Sequence, residues 1–233
     1  MLKILKWLAK IRCCSCGSSI DDGIVCIDCF KKLTFISCNF CKICGKHMSL
    51  ATEDMVCAFC LSRNRKFTLA RSLFLYNEIS VKIVRQIKEY ADIHIARRCC
   101  DIFLKSHKDM LNNIDIITCI PSHWSKVFKR GFNGAQIIGV ELSRLSGIPF
   151  IKTLKQKIKT NSQKYYGFSE RQSNLNGCFA WNKKDIRNKS ILLVDDIMTT
   201  GATLDIASQE LLQHGAKKIS CFTIATTQAM ENL

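Results

Sequence analysis

The chain has 233 residues, 47 % of them hydrophobic, which is enough for one doubly wound domain with a small appendage. Its net charge of +16 favours polyanionic partners such as phosphorylated ligands, nucleic acid or an anionic membrane face without choosing among them. No stretch is long and apolar enough to cross a bilayer, so no transmembrane segment is expected. Ten of the fifteen cysteines fall between Cys13 and Cys60, which divides the chain into 1–66 and 67–233 with different stabilising chemistry.

Residues 1–11 (MLKILKWLAKI) set Leu2, Leu5, Trp7 and Leu8 against Lys3, Lys6 and Lys10, an amphipathic basic helix that either lies on the domain behind it or rests weakly on a membrane surface. Lys6 and Lys10 interrupt any signal-peptide core. Four C-x-x-C pairs then follow within fifty residues, the spacing of thiolate knuckles, two per tetrahedral zinc. Cys16 precedes Gly17 and Cys44 precedes Gly45, and a glycine there lets the backbone fold under the metal, whereas Cys41 precedes Lys42. This choice of register predicts one site from Cys13, Cys16, Cys26 and Cys29 and a second from Cys41, Cys44, Cys57 and Cys60, both structural, with Cys14 and Cys38 left over. A disulfide framework is the rival. Without an export signal a reducing cytoplasm is expected, where thiol clusters hold metal.

Residues 67–76 (FTLARSLFLY) read as a strand. Residues 78–90 carry helical spacing through Ile79, Ile83, Ile87 and Tyr90, and a second helix is expected over 92–111, with Arg97, Arg98 and Lys105 on a solvated face. Residues 114–120 (IDIITCI) predict a buried strand ending in Pro121, Ser122 and His123. Lys126, Lys129 and Arg130 then stand beside Gly131 ahead of a helix over 136–145. His123 reads equally as an ordinary loop histidine or as an anion donor.

Residues 152–166 (KTLKQKIKTNSQKYY) carry Lys152, Lys155, Lys157, Lys159 and Lys164 with no acid, and end in Tyr165 and Tyr166. Three readings stay open: a solvated loop, a mobile loop closing over an anionic ligand, or a contact for single-stranded nucleic acid, with charge for phosphates and rings for bases.

The centre of the chain is 191–204, ILLVDDIMTTGATL. Ile191, Leu192, Leu193 and Val194 predict a buried parallel strand that stops at Asp195 and Asp196. Thr199, Thr200, Gly201, Ala202 and Thr203 form a small hydroxyl turn, and a helix follows to Gly215. Such a turn offers free N–H groups, hydroxyls and a positive dipole end to a phosphate, while the carboxylates accept from vicinal hydroxyls of a ribose, through or beside a divalent cation. No lysine follows the glycine, so the nucleotide P-loop pattern is absent. Residues 218–225 give a last strand.

VDDIMTTGAT resembles the phosphoribosyl-diphosphate (PRPP) signature of type I phosphoribosyltransferases. That resemblance implies that Asp195 and Asp196 take the ribose, that residues 199–203 take the 5′-phosphate, and that the loop of Pro121, Ser122, His123, Lys126 and Arg130 grips pyrophosphate with Mg²⁺. It also implies a catalytic flexible loop at 152–166. The block PSHWSKVFKRGFNGAQ, the cysteine pairs, and Arg171 with Asn174 further resemble the ComF family, with departures at Gly134 and over 125–128. The implied fold is α/β: a type I phosphoribosyltransferase with a doubly wound, mainly parallel sheet (67–233) behind a small double zinc-knuckle domain (1–66).

ComF membership implies a cytoplasmic role in natural competence. Lys155, Lys157, Lys159, Lys164 and Tyr165 would then contact internalised single-stranded DNA, and DNA-uptake or recombination proteins would be partners. The alternative is an active phosphoribosyltransferase of nucleotide metabolism that does not bind DNA. If the chain is a transferase, catalysis would be mostly electrostatic, stabilising the departing pyrophosphate.

Overall fold

The computed structural model describes residues 11–49, 54–122, 127, 128, 130–157 and 177–229. The amphipathic helix expected at the N-terminus therefore lies outside the described residues except for Ile11, as do Arg171 and Asn174.

Strands β1 (Ile11–Arg12) and β2 (Ser19–Ile20) pair antiparallel, and α1 (Ile27–Phe30) and α2 (Ala58–Leu61) are single turns. The larger unit begins with β3 (Leu69–Leu75), α3 (Glu78–Tyr90) and α4 (Ile93–Ser106), which passes into a 3-10 turn at Lys108–Leu111. It continues through β4 (Ile116–Cys119), α5 (Gly134–Ser146), β5 (Leu154–Gln156) and β6 (Phe179–Trp181). It closes with β7 (Ser190–Met198), α6 (Ala202–Gln213) and β8 (Lys218–Thr226).

The central sheet runs β3-β8-β7-β4 with every neighbouring pair parallel, as the doubly wound reading expected. Each connection must therefore cross a face, and the helices cover both. Along β7 the pleat alternates: Leu192 and Val194 join the core under α3, α4 and α5, while Ile191 and Leu193 join the core under α6. The last strand in sequence sits inside the sheet, between β3 and β7.

Local signals set the helix limits. Asn77 caps α3, accepting from the Ile79 and Ser80 N–H groups while Ser80 Oγ accepts from the Asn77 N–H, and Ala91 ends the helix in the left-handed region. Asp92 caps α4 and Asn133 caps α5, so α5 opens at Gly134, two residues before the expected start. The second helix stops at Ser106 instead of reaching residue 111. Tyr90, expected on the buried face of α3, is 62 % exposed. Arg97 and Arg98 are not merely solvated: they pair with the buried Glu141 (2.8 Å) and with Asp22.

The cysteine-rich region straddles the free edge of β3. Its first thiol cluster packs into the core beside α3 and α4, and its second packs into the core on the opposite face. Between them the backbone closes the edge: the Ile36 N–H donates to Leu73 O, the Leu75 N–H to Thr34 O and the Ala70 N–H to Ile43 O. An open parallel edge would invite pairing with another chain, and this wrap removes it.

Candidate functional site

Strand β7 does not stop at the carboxylates. It is paired on both sides, and its ladder with β8 runs on through Asp195↔Thr223 to Met198↔Thr226. Apolar sequence ends at Val194 because the core ends there, whereas hydrogen bonding continues, so the acid pair stands on rigid backbone.

Asp195 and Asp196 are half-buried. Asp195 accepts the Asp196 N–H at 2.8 Å. Burial, reinforced by the charge of Asp196, pushes the Asp195 carboxyl up to about 8. Asp196 is neutralised by a residue that the sequence did not single out: Lys88 of α3, whose Nζ lies 2.6 Å from Oδ2. Burial alone would lower the Lys88 ammonium, but Asp196 outweighs it and the shift is upward, with Arg130 pressing weakly the other way. Lys88 follows Val84 by one helical turn, so the spacing of α3 places it at the rim of the buried face. Gly134 admits it, since a Cβ at that position would stand 3.1 Å from Lys88 Cα.

The turn after β7 leads directly into α6. Thr199 is exposed, Thr200 and Thr203 are half-buried, and Gly201 takes φ +81° as the residue that opens the helix, with no side-chain cap there. The Ala202 N–H reaches Thr200 Oγ1 at 3.4 Å. A helix start of this kind leaves backbone donors and the positive dipole end for an anion. Behind the turn lie two more residues missed by the sequence reading, Arg65 and Asp205, joined at 2.5 Å.

At the tip of β4, Pro121 and Ser122 are half-buried and Arg130 is exposed. Asn133 Nδ2 donates to Ile120 O at 2.9 Å and so ties the loop's far end back to the strand. His123 and Lys126 lie outside the described residues. Pro121 and Ser122 line a cleft of about 730 Å³ together with Phe132, Lys152 and Lys155.

The lysine-rich segment is partly strand. Lys155 belongs to β5, which pairs antiparallel with β6, and the Lys157 N–H donates to Cys178 O at 2.7 Å. Both side chains are exposed. Lys159, Lys164 and Tyr165 fall outside the described residues.

The structure brings Cys13, Cys16, Cys26 and Cys29 together, and likewise Cys41, Cys44, Cys57 and Cys60, with the sulfurs of each set within 4.8 Å of one another. The Cys16–Cys26 and Cys44–Cys57 sulfurs are each 3.7 Å apart, near the edge of about 3.8 Å of a tetrahedron with Zn–S bonds of about 2.3 Å. Cys41 Sγ also accepts N–H groups from Cys44 and Cys57. Hydrogen bonds from Cys44, Cys57 and Cys60 hold the Cys41 thiol far below its ordinary value, while the same contacts push Cys44 and Cys60 up, so without an ion the four sulfurs share protons that metal binding would displace. These donor sets fit two zinc-binding sites of four thiolates each. None of the fifteen cysteines is joined in a disulfide, so the rival disulfide framework is absent. Gly17 and Gly45 both take the left-handed conformation. Of the two thiols left over, Cys14 packs against the core, where burial pushes it up to about 12, and Cys38 is exposed. Among the described residues no helix is long and apolar enough to cross a membrane.

Known proteins resemble this chain in sequence. Residues 86–231 match the family described as phosphoribosyl transferase domain, and residues 4–61 match the double zinc ribbon domain. Competence protein ComFC of Bacillus subtilis is 28 % identical over 92 % of this chain and 95 % of its own length. Competence protein F of Haemophilus influenzae is 25 % identical over 93 % of this chain and 97 % of its own. The DNA utilization protein YhgH of Salmonella typhimurium is 23 % identical over 81 % and 85 %.

Proposed function

The chain belongs to the phosphoribosyl transferase domain family, and on that footing we propose that it binds PRPP and serves the handling of incoming single-stranded DNA in natural transformation. The observation that carries the ligand is the placement of the Asp195–Asp196 pair on β7 directly ahead of the uncapped start of α6. In this reading the two carboxylates accept from the ribose hydroxyls, and residues 199–203 donate to the 5′-phosphate. Lys88 exchanges its hold on Asp196 for the ligand. Pro121, Ser122, His123, Lys126 and Arg130 receive the pyrophosphate. Mg²⁺ bound with PRPP would supply charge neutralisation there.

Titration calorimetry of PRPP with Mg²⁺ into the zinc-loaded protein tests this, beside an Asp195→Asn/Asp196→Asn double variant. Saturable binding that the double variant loses is the expected result. A folded wild type that takes up no heat sinks the reading.

The DNA role draws on the competence and DNA-utilization proteins that the chain resembles along most of its length, and on a charge of +16. We assign it to the cytoplasm, where thiols stay reduced, with DNA-uptake or recombination proteins as partners. Lys155, Lys157, Lys159, Lys164 and Tyr165 form the contact. Affinity for a single strand should fall steeply with salt, and a Lys155→Ala/Lys157→Ala/Lys159→Ala variant should flatten the slope of log K against log salt by about 2. An unchanged slope removes these lysines from the interface.

A second reading is supported by the match of the transferase domain to most of the larger unit: turnover of PRPP with an acceptor of nucleotide metabolism. Release of pyrophosphate during an acceptor screen is its test. Binding without release across that screen would leave a ligand-binding protein rather than an enzyme.

A further inference from the structure

The second thiol cluster reaches the back of the 199–203 turn through two buried cations, one beside each of its cysteine pairs. Arg65 follows Cys60 by five residues, and its side chain is 3 % exposed. The guanidinium sits over the rings of Phe59 (4.6 Å) and Phe67 (5.3 Å), which fix its plane. One nitrogen donates to Asp205 Oδ2 at 2.5 Å and another to Thr200 O at 2.9 Å, while the Lys66 N–H donates to Asp205 Oδ1 at 2.9 Å. Asp205 lies in the first turn of α6, so Arg65 joins the helix to the turn that precedes it. A Cβ on Gly201 would stand 2.9 Å from the same guanidinium. The glycine suits its own left-handed backbone, and any side chain there would have to displace the guanidinium behind it.

Lys46 follows Cys44 by two residues and is buried. Its Nζ donates to Thr227 Oγ1 at 3.0 Å and to Gln228 O at 3.4 Å, and Thr227 Oγ1 donates to Thr199 O at 3.2 Å. A void of about 10 Å³ among Cys44, Lys46, Cys57, Arg65 and Thr200 is at the bottom of the range one water needs. Arg65 thus meets the turn directly, and Lys46 meets it through Thr227.

The carbonyls of two consecutive residues, Thr199 and Thr200, are in this way drawn toward the cysteine-rich side. In a planar trans peptide the C=O and N–H point in opposite directions. Holding those oxygens back turns the Thr200 and Gly201 N–H groups to the other side.

We propose that Arg65 and Lys46 are positioning residues for the phosphate-binding turn, so that the second thiol site and the site for the 5′-phosphomonoester form one mechanical unit. This rests on the reading that the turn takes the phosphate of PRPP. It gives the zinc region a task in ligand binding besides covering the edge of β3: the thiol cluster holds Lys46 and Arg65, and these hold the turn.

The test uses the full zinc-loaded chain and three variants, Arg65→Gln, Arg65→Lys and Lys46→Met. Each is titrated with PRPP plus Mg²⁺, with ribose 5-phosphate and with pyrophosphate, beside zinc content and melting temperature. Arg65→Gln should weaken PRPP and ribose 5-phosphate about tenfold, the scale of one charge-assisted hydrogen bond. Pyrophosphate affinity and the zinc content of two per chain should stay unchanged, and Arg65→Lys should recover part of the loss. Lys46→Met should show the same pattern more weakly, and it decides the matter if Arg65→Gln does not fold. If the wild type fails to bind PRPP, the functional reading itself falls. A wild type that binds, with Arg65→Gln and Lys46→Met binding equally well, overturns the positioning role. So does a loss shared equally by pyrophosphate and ribose 5-phosphate, which marks general destabilisation.

Discussion

Replacing Gly45 with alanine is expected to cost about 3–5 kcal/mol of stability, and Gly17→Ala only about 1 kcal/mol, although both glycines follow the second cysteine of a knuckle. Both sit at positive φ, +68° and +79°, so the left-handed penalty is common to the pair. What differs is the neighbour. A Cβ on Gly45 would stand 2.3 Å from Ala70 O and 3.2 Å from Arg71 Cα, whereas nothing lies within 4 Å of the same position on Gly17. An overlap of about 1 Å against backbone cannot be relieved by a rotamer. Ala70 is itself fixed by its register opposite Cys221 in β8. Relief requires the second ribbon to lift, which breaks the 2.7 Å bond from the Ala70 N–H to Ile43 O and adds about 1 kcal/mol. For a chain of this size, melting temperature should fall by about 6–20 °C for Gly45→Ala and about 2–4 °C for Gly17→Ala. Both variants keep all eight thiols, so calorimetry should be run with zinc content confirmed at two per chain. Equal shifts in the two variants would refute the claim that the second ribbon is pressed onto β3.

Asp195→Asn should become progressively more stable than the wild type as pH rises. The folded carboxyl titrates at about 8 against 3.8 for the free group, so over that window the native state holds a proton that the unfolded chain releases. Wild-type stability then falls with rising pH by at most about 1.4 kcal/mol per unit and levels off above 8. Melts at pH 5, 6.5 and 8 read this, and a constant gap between the two proteins would mean that Asp195 is ionised throughout. Lys88→Met should cost about 1 kcal/mol at pH 8, since the lysine side chain is 41 % exposed and solvent screens the pair, and the cost should shrink in high salt. Cys44→Ser should lower bound zinc from two ions to one and depress the melting temperature more than Cys16→Ser, because Cys44 is fully buried and Cys16 exposed; atomic absorption and calorimetry check both halves.

Much of the architecture was legible because its causes are local. The limits expected for the first long helix coincide with α3, since Asn77, Ser80 and the 3.6-residue spacing all act within a turn of one another. The thiol sets were legible in spacing for the same reason: two-residue gaps and a following glycine are what a knuckle's own backbone demands. The end of β7 was not, because apolar residues report burial while a strand is defined by pairing, and past Val194 β8 supplies that pairing from elsewhere in the chain.

The alternation of strands and helices, the two groups of thiols, and the acid pair followed by a hydroxyl-glycine turn are all written in the order of the amino acids. Each unit of these patterns lies within about twenty residues of backbone, where steric and hydrogen-bonding preferences act with little help from the rest of the fold. Other features exist only once the chain has folded: Lys88 neutralises Asp196, Arg65 and Asp205, 140 residues apart, join behind Gly201, and Lys46 meets Thr227 across 181 residues. In sequence a lone lysine or arginine reads as solvated surface, because its charge is costly to bury. It becomes an internal strut only where the folded chain delivers a carboxylate or a row of oxygens to meet it, and no local pattern records that meeting.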